Sequence, residues 1–294
     1  MQIMAIALRE TQSAVVLSEP DTIPLPSHTK PSPLFLSWLL PDGSPLRANP
    51  LAFGRTGVIV KRGDRALKIP RRDDMTACAE SNRDVLDTLA DIAHDSIEHE
   101  KAVYRHLGEH DGIVRVFQIS DAGIEMPLMT NGDLADYLRE RRPEKRVQLD
   151  WIRQMASTIN YVHKKHVIIA DIATKNFLLA DDLSVKLCDF TESTIMPPGA
   201  NIEEDEDSGF SIQTDIAQFG SVIYEIVTPE TYNFDLFKGQ GEGKMVPTWL
   251  CEQDLPNTED IWLGSIIRKC WTKGGYRNMG ELCRALELES ATLK

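Results

Sequence analysis

The sequence is poor in the features that mark disulfide-built, zinc-binding and membrane-spanning proteins. Its five cysteines are scattered and include no Cys-x-x-Cys pair, so neither a disulfide framework nor a zinc cluster is indicated. The most apolar stretch, residues 34–40, is only seven residues long, whereas a membrane-spanning helix needs roughly 20. The N-terminus also lacks the basic start of a secretion signal. These absences predict a protein of the cytoplasm or the nucleus.

Basic residues are in deficit as well. The chain has 32 Lys and Arg against 45 Asp and Glu, which gives a net charge of -13. A charge of this sign repels phosphate backbones and anionic membrane surfaces, so we expect neither a nucleic acid nor a membrane as a partner. The sequence identifies no protein partner and no oligomeric state.

What is present is an ordinary globular composition with an uneven distribution of proline. Eight prolines lie between residues 20 and 50, and this predicts an irregular Pro-rich extension over residues 1–45. Residues 46–130 are predicted to be β-rich, with a hairpin at Gly63-Asp64, an acidic helical region over 74–108 and strands over 113–119 and 124–129. Residues 131–294 are mostly helical in pattern. The sequence therefore predicts an α+β protein with two lobes.

The first candidate for chemistry is a glycine-containing turn followed by a lysine and a glutamate. Residues 52–59 read Ala-Phe-Gly-Arg-Thr-Gly-Val-Ile, and glycines let backbone N–H groups approach an anion closely. Lys68 follows eleven residues after Gly57, on a strand from which it can reach a phosphate. Glu100 lies on a predicted helix and could hold Lys68 by ion pairing. Each feature alone is more often a hairpin turn, a surface lysine or a solvated helix charge.

The second candidate is more specific, because three oxygen-bearing side chains flank one predicted hairpin. Asp171 and Asn176 precede it, and Asp189 follows thirteen residues after Asn176. Phosphoryl transfer needs a carboxylate to orient the attacking hydroxyl and oxygen ligands to hold Mg²⁺ against the phosphates. The joint spacing favours this chemistry over three unrelated turn residues.

Together these residues resemble the eukaryotic protein kinase fold over roughly residues 51–286. The resemblance implies a bilobal protein kinase-like fold, a β-rich N-lobe and a helical C-lobe, with ATP and Mg²⁺ as cofactors. It implies that Asp171, Lys68, Glu100 and Lys175 are catalytic, and that Asn176 and Asp189 hold the metal. The nucleotide-binding positions that it implies are Ala52, Gly54, Gly57, Ile59, Lys68, Met126 as gatekeeper, Met129 in a hinge over residues 127–129, Asn176 and Asp189.

The sequence also departs from the family pattern. Ile169 and Ala170 stand where the family usually has His-Arg, so switching by loop phosphorylation is not expected. Thr191 replaces the usual glycine after Asp189-Phe. Only 26 positions separate Asp189 from Asp215, without an Ala-Pro-Glu sequence between them, which predicts a truncated peptide-docking platform.

Five successive acids at residues 203–207 lie in this shortened region. We favour a solvated, flexible loop over a selector for basic substrates, with the further hypothesis that Glu203 pairs with Arg277. Three functions follow from the whole pattern: a protein kinase acting on Ser, Thr or Tyr, a pseudokinase that binds or scaffolds without transfer, and a small-molecule phosphotransferase. The filled catalytic positions favour the first.

Overall fold

The computed structural model describes residues 38–47, 49–74, 83–240 and 246–292 and arranges them in two lobes. The N-lobe contains a five-stranded antiparallel sheet in the order β1-β2-β3-β5-β4 and one long helix. Its elements are β1 Ala52–Phe53, β2 Gly57–Arg62, β3 Arg65–Pro70, α1 Arg83–Leu107, β4 Gln118–Ser120 and β5 Gly123–Pro127. The predicted hairpin at Gly63-Asp64 joins β2 to β3, and Gly63 has the positive φ of 65° that such a two-residue turn requires.

Alternation along β2 and β3 gives the sheet one apolar face. Val58, Val60, Leu67 and Ile69 are buried there. Trp38, Leu40 and Leu46 pack against the same cluster, so the last part of the predicted Pro-rich extension contacts the sheet.

One predicted element of the N-lobe is shorter in the structure, and another is described only in part. The predicted strand over 113–119 is wrong for residues 113–117, because β4 starts only at Gln118. Ile113 and Val114 instead contact the C-lobe through a bridge and a 2.9 Å hydrogen bond to Leu187, which takes their backbone away from the sheet. The predicted helical region begins at Arg83 in the structure, and residues 75–82 lie outside the described residues.

The C-lobe is mainly helical, as predicted. Its elements are α2 Leu134–Glu140, α3 Lys145–Lys164, β6 Val167–Ile168, β7 Phe177–Leu179, β8 Val185–Leu187, β9 Thr194–Ile195, α4 Ile212–Val227, α5 Gly264–Trp271 and α6 Met279–Thr292. The strands pair as two short ribbons, β6 with β9 and β7 with β8. Helix α4 is buried along most of its length and starts with a capping box formed by Ser211 and Thr214. The α+β, bilobal kinase-like fold predicted from the sequence is confirmed.

Within the described residues, no helix is both long and apolar enough to cross a lipid bilayer.

Candidate active site

A buried ion cluster joins three separate elements of the structure. The Nζ atom of Lys68, on β3, lies 2.7 Å from Oε2 of Glu100 on α1 and 2.9 Å from Oδ1 of Asp189, which follows β8. The side chains of Lys68 and Glu100 are 8% and 0% exposed. Charges this deep in the protein need such partners, because burial without them is strongly unfavourable.

The electrostatics of the cluster keep Lys68 positively charged. Burial by itself lowers the pKa of Lys68, but the negative charges of Glu100 and Asp189 outweigh it and raise that pKa above its ordinary value. Burial also opposes ionisation of Asp189, yet Lys68 and the Thr191 hydroxyl hold the pKa of Asp189 below its ordinary value. Burial raises the pKa of Glu100, the most enclosed of the three groups.

Local packing explains why these side chains meet. Lys68 is opposite Ile59 in the β2–β3 pair, and a Cβ on Gly57 would stand 3.0 Å from the Lys68 side chain, so a glycine leaves room for it. The backbone N–H of Phe190 donates to Oε1 of Glu100 at 3.2 Å. The Phe190 ring packs edge-on against Tyr104, one turn along α1 from Glu100, with ring centroids 5.1 Å apart.

A second cluster lies at the loop before β7. The Nδ2 atom of Asn176 donates to the carbonyl of Asp171 at 2.8 Å and to its Oδ2 atom at 3.0 Å. Lys175 Nζ is 3.2 Å from the same Oδ2 atom. The β7–β8 ribbon then brings the residue after β8 next to the end of this loop, since the N–H of Cys188 donates to the carbonyl of Asn176 at 2.9 Å. Asp171, Lys175, Asn176 and Asp189 are thereby placed on one side of the molecule.

One cleft of about 1870 Å³ contains all of the residues that the sequence predicted for the site. Its N-lobe wall holds the glycine turn and Lys68, and its C-lobe wall holds Asp171. Met126, on β5 and 5% exposed, is opposite Ala66 at the back of the cleft. The predicted residues that line it are Ala52, Gly54, Gly57, Ile59, Lys68, Glu100, Met126, Met129, Asp171, Lys175, Asn176 and Asp189.

The backbone before Asp171 is anchored by Asp215, at the start of α4. The Asp215 carboxylate, fully buried, accepts from the N–H groups of Ile169 at 2.8 Å and Ala170 at 2.9 Å, and its Oδ2 is 2.8 Å from Nε2 of His163. Ala170 has a positive φ of 64°, a conformation that costs a non-glycine residue roughly 1–2 kcal/mol. The anchoring by Asp215 offsets that cost.

Sequence reasoning missed three side chains that hold this region: His163, Ser193 and Gln218. Ser193 donates to the carbonyl of Ile169 at 3.1 Å, and Gln218 bonds to backbone groups on both sides of Asp171. All three act on groups many positions away in the chain. No spacing signal in a single sequence identifies such partners.

The segment between Asp189 and α4, residues 189–211, is called the activation segment below. Thr191, which replaces the usual glycine, donates from its hydroxyl to Oδ1 of Asp189 at 2.8 Å. Glu192 pairs with Arg55 of the glycine turn and so links the two walls of the cleft. The substitution at Thr191 therefore adds a hydrogen bond to the site.

Three carboxylates of the acidic run at residues 203–207 make specific contacts. The hypothesis that Glu203 pairs with Arg277 is confirmed, with Nη2 of Arg277 2.6 Å from Oε2 of Glu203. The Asn278 amide also donates to Glu203 at 2.8 Å and, together with Arg277, holds the pKa of Glu203 below its ordinary value. Asp205 accepts from the N–H of Asn201 and Asp207 from the hydroxyl of Thr194. These three carboxylates therefore each have a specific donor, while Glu204, Asp205 and Glu206 are exposed to solvent, as predicted for a solvated run.

The oxygen atoms at the site fit a Mg²⁺ ion held partly by phosphates. Oδ1 of Asp189 accepts from both Lys68 and Thr191. Asn176 contacts Asp171 through the Nδ2 atom of Asn176. Oδ2 of Asp189 and Oδ1 of Asn176 are thus left as two oxygen ligands. Mg²⁺ is usually held by one or two such protein groups together with substrate phosphates and water. Among the described residues there is no group of three or more His, Cys, Asp or Glu side chains arranged for a metal.

Comparison with known proteins agrees with this geometry. The model of the protein tyrosine and serine/threonine kinase family matches residues 85–277, and the chain belongs to this family. It is 36% identical over 98 residues to a carbon catabolite-derepressing protein kinase of Secale cereale, covering 31% of this chain and 19% of that protein. It is 28% identical over 165 residues to the tyrosine-protein kinase HTK16 of Hydra vulgaris, covering 49% of this chain and 21% of that protein.

A longer alignment joins the chain to a fibroblast growth factor receptor of Ciona intestinalis. The two are 22% identical over 269 residues, which covers 76% of this chain and 34% of the receptor. The chain thus spans about a fifth to a third of the length of these relatives.

Proposed function

We propose that this protein is an ATP- and Mg²⁺-dependent phosphotransferase that phosphorylates Ser, Thr or Tyr hydroxyls of proteins. The observation that carries the proposal is the position of Lys68, which is paired with Glu100 and Asp189 in the same cleft as Asp171 and Asn176. Membership of the kinase family supports the reaction class.

The N-lobe residues suit phosphate binding. Bound Mg²⁺-ATP supplies the γ-phosphoryl group that such a reaction transfers. Lys68 stays protonated and is fixed by Glu100, so its charge is available to phosphate oxygens without further reorganisation. Gly54 and Gly57 let the backbone of the turn approach those oxygens, and Asn176 and Asp189 offer the two metal ligands.

The C-lobe residues suit activation of a hydroxyl. Asp171 would orient the acceptor hydroxyl and take its proton as the hydroxyl oxygen bonds to the γ-phosphorus and the bond from that phosphorus to the β–γ bridging oxygen breaks, with ADP as the leaving group. Asn176 and Lys175 both contact its Oδ2 atom, and these contacts restrict the rotation of the side chain. Lys175 adds a positive charge close to the point where the transferred phosphoryl group would pass.

The rival functions depend on different features. A pseudokinase is favoured by Ala170, which stands where the family usually has arginine, and by the short activation segment. A small-molecule phosphotransferase is favoured because the protein lacks a longer platform on which a peptide could dock. Neither feature removes a charged group from the cleft. The Lys68–Glu100 pair, which holds the phosphate-directed charge of the proposed mechanism, is formed.

The test is transfer of labelled γ-phosphate from Mg²⁺-ATP by the wild type and by Asp171→Asn. Acceptors are the protein itself, a mixed protein substrate, a Tyr-containing polymer and a panel of small alcohols and amino sugars. We expect transfer to a protein hydroxyl by the wild type and its loss in Asp171→Asn. Nucleotide binding without transfer to any acceptor would establish the pseudokinase function instead. Transfer to the small molecules alone would establish the third function.

A further inference from the structure

Gln218 makes two hydrogen bonds that no other described side chain duplicates around Asp171. Its Nε2 atom donates to the carbonyl oxygen of Ala170 at 3.1 Å, and its Oε1 atom accepts from the N–H of Ile172 at 3.1 Å. The amide therefore spans the residue between them, Asp171, from one side. Gln218 also lines the cleft that contains Asp171.

These two backbone groups determine how Asp171 is oriented. The carbonyl of Ala170 belongs to the peptide plane before the Asp171 Cα atom, and the N–H of Ile172 belongs to the plane after it. Because each peptide unit is planar, linking one atom of each plane to the same amide restrains the two dihedral angles at Asp171. The direction in which the Asp171 side chain leaves the backbone is thereby restricted. Its rotation beyond that point is limited by Asn176.

The helix that carries Gln218 is a rigid support. Ala217 and Phe219, its neighbours on α4, are both fully buried. Asp215 lies three positions earlier on the same helix and holds the N–H groups of Ile169 and Ala170. One turn of α4 thus fixes the backbone on both sides of the predicted catalytic carboxylate.

The loop needs this support because its own sequence provides little. Ala170 has only a methyl group and a strained φ of 64°, so it contributes no side-chain contact that would hold the loop. The backbone at Ala170 is held from outside, by Asp215 at its N–H and by Gln218 at its carbonyl. Neither contact involves the activation segment or a group that phosphorylation would create.

We propose that Gln218 is a positioning residue for Asp171, and that it holds the loop in its working geometry without phosphorylation of the activation segment. This proposal rests on the proposed phosphotransferase function for its kinetic consequence. Its structural consequence, protection of the Ile172 amide, does not depend on activity.

Two substitutions separate the two hydrogen bonds. Gln218→Met has a similar length and can make neither bond. Gln218→Glu keeps an acceptor for Ile172 but, as a carboxylate, cannot donate to the Ala170 carbonyl. Gln213→Met is the matched control, because Gln213 lies on the same helix and also bonds to the backbone through its amide. Its partners are Gly274, Tyr276 and Arg277, near the start of α6.

The experiment measures steady-state transfer and amide hydrogen exchange on the full chain of each variant, with thermal unfolding as a check of folding. In Gln218→Met, kcat should fall about 10-fold to 100-fold, since a displacement of about 1 Å at the reacting group has an effect of this size. The KM for ATP should stay within about twofold, because the nucleotide end of the cleft is unchanged. The Ile172 amide should exchange about fivefold faster or more, as expected for loss of one hydrogen bond.

In Gln218→Glu, kcat should fall as well, while the Ile172 amide keeps its wild-type protection. Gln213→Met should change neither quantity. Wild-type kcat and wild-type Ile172 exchange in Gln218→Met would overturn the proposal, as would an equal effect of Gln213→Met.

A wild type that transfers no phosphate would refute the proposed function alone, because the exchange pattern would still decide whether Gln218 holds the loop. If Gln218→Met fails to fold, the combination of lowered kcat and retained protection in Gln218→Glu decides.

Discussion

At the Lys68 end of the cleft, charged side chains from three elements meet in one cluster, whereas the far end of the activation segment is held by contacts near the surface. Lys68 and Glu100 depend on each other, because each offsets the cost of burying the opposite charge, and Asp189, which is 38% exposed, adds a second negative partner for Lys68. Glu203, at the far end of the segment, is held by Asn278 and Arg277 in a place where water competes for the same groups. The ion cluster therefore depends on the burial of paired charges. The placement of the activation segment depends instead on several weak contacts near the surface. Three substitutions test this difference.

The largest effect is expected for Lys68→Met. Phosphoryl transfer should be lost, since no other described cation lies between the two carboxylates. The variant should fold but be about 3–5 kcal/mol less stable, because Glu100 is left buried without a partner. Thermal unfolding and the transfer assay measure the two effects.

The double variant Lys68→Met/Glu100→Gln is the control for that explanation. It removes the unpaired charge, so most of the lost stability should return while transfer stays absent. If the single variant transferred phosphate at the wild-type rate, the proposed site would be refuted.

An intermediate effect is expected for Asp215→Asn, at the junction of the two regions. An amide cannot accept from all three of its donors and presents an N–H group to one of them, so a buried donor is left unsatisfied. We expect a loss of about 1–3 kcal/mol in unfolding free energy and a fall in kcat, with little change in nucleotide affinity. Unchanged kcat in a destabilised variant would show that Asp215 supports the fold but not the loop.

The smallest effect is expected for Glu203→Gln, compared with the exposed neighbour substitution Glu204→Gln. Loss of the Arg277 pair should lower stability by less than about 1 kcal/mol. Because the pKa of Glu203 is lowered in the folded protein, its contribution is present above the ordinary carboxyl pKa of about 4.3 and is lost as the pH falls through the lowered value.

The melting temperatures of wild type and Glu203→Gln should therefore differ at pH 7 and converge as the pH falls through the lowered pKa of Glu203, whereas Glu204→Gln should match the wild type throughout. A difference that does not shrink as the pH falls through the acidic range would argue that the Glu203 charge is not the cause.

The same contrast explains how much could be predicted from the sequence. The spacing of Asp171, Asn176 and Asp189 around one hairpin predicted their proximity, because a short β-ribbon brings its two ends together. Lys68 and Glu100 could be singled out as a strand lysine and a helix glutamate able to pair, and their order along the chain, which resembles that of a known family, favoured this pairing over two unrelated surface charges. The fold class followed from a β-rich half and a helical half.

What could not be predicted depends on contacts between distant parts of the chain. Gln218 reads as an ordinary helix residue, since its hydrogen-bonding partners lie more than forty positions earlier. Residues 113–117 have the composition of a strand, but Ile113 and Val114 pair with Leu187 on β8 of the other lobe, an outcome that depends on tertiary packing. The acidic run predicted mutual repulsion of its carboxylates. The donors that bind them, Asn278 and Thr194, lie outside the run, so the local sequence pattern could not identify them.

The central claim is that this site is assembled for phosphoryl transfer without phosphorylation of its activation segment. The most direct measurement is the time course of γ-phosphate transfer from Mg²⁺-ATP by wild-type protein that has been treated with a phosphatase, beside untreated protein. We predict equal initial rates with no lag. A long lag or an inactive treated sample would contradict the claim of a pre-assembled site, and absence of transfer in both samples would contradict the proposed activity itself.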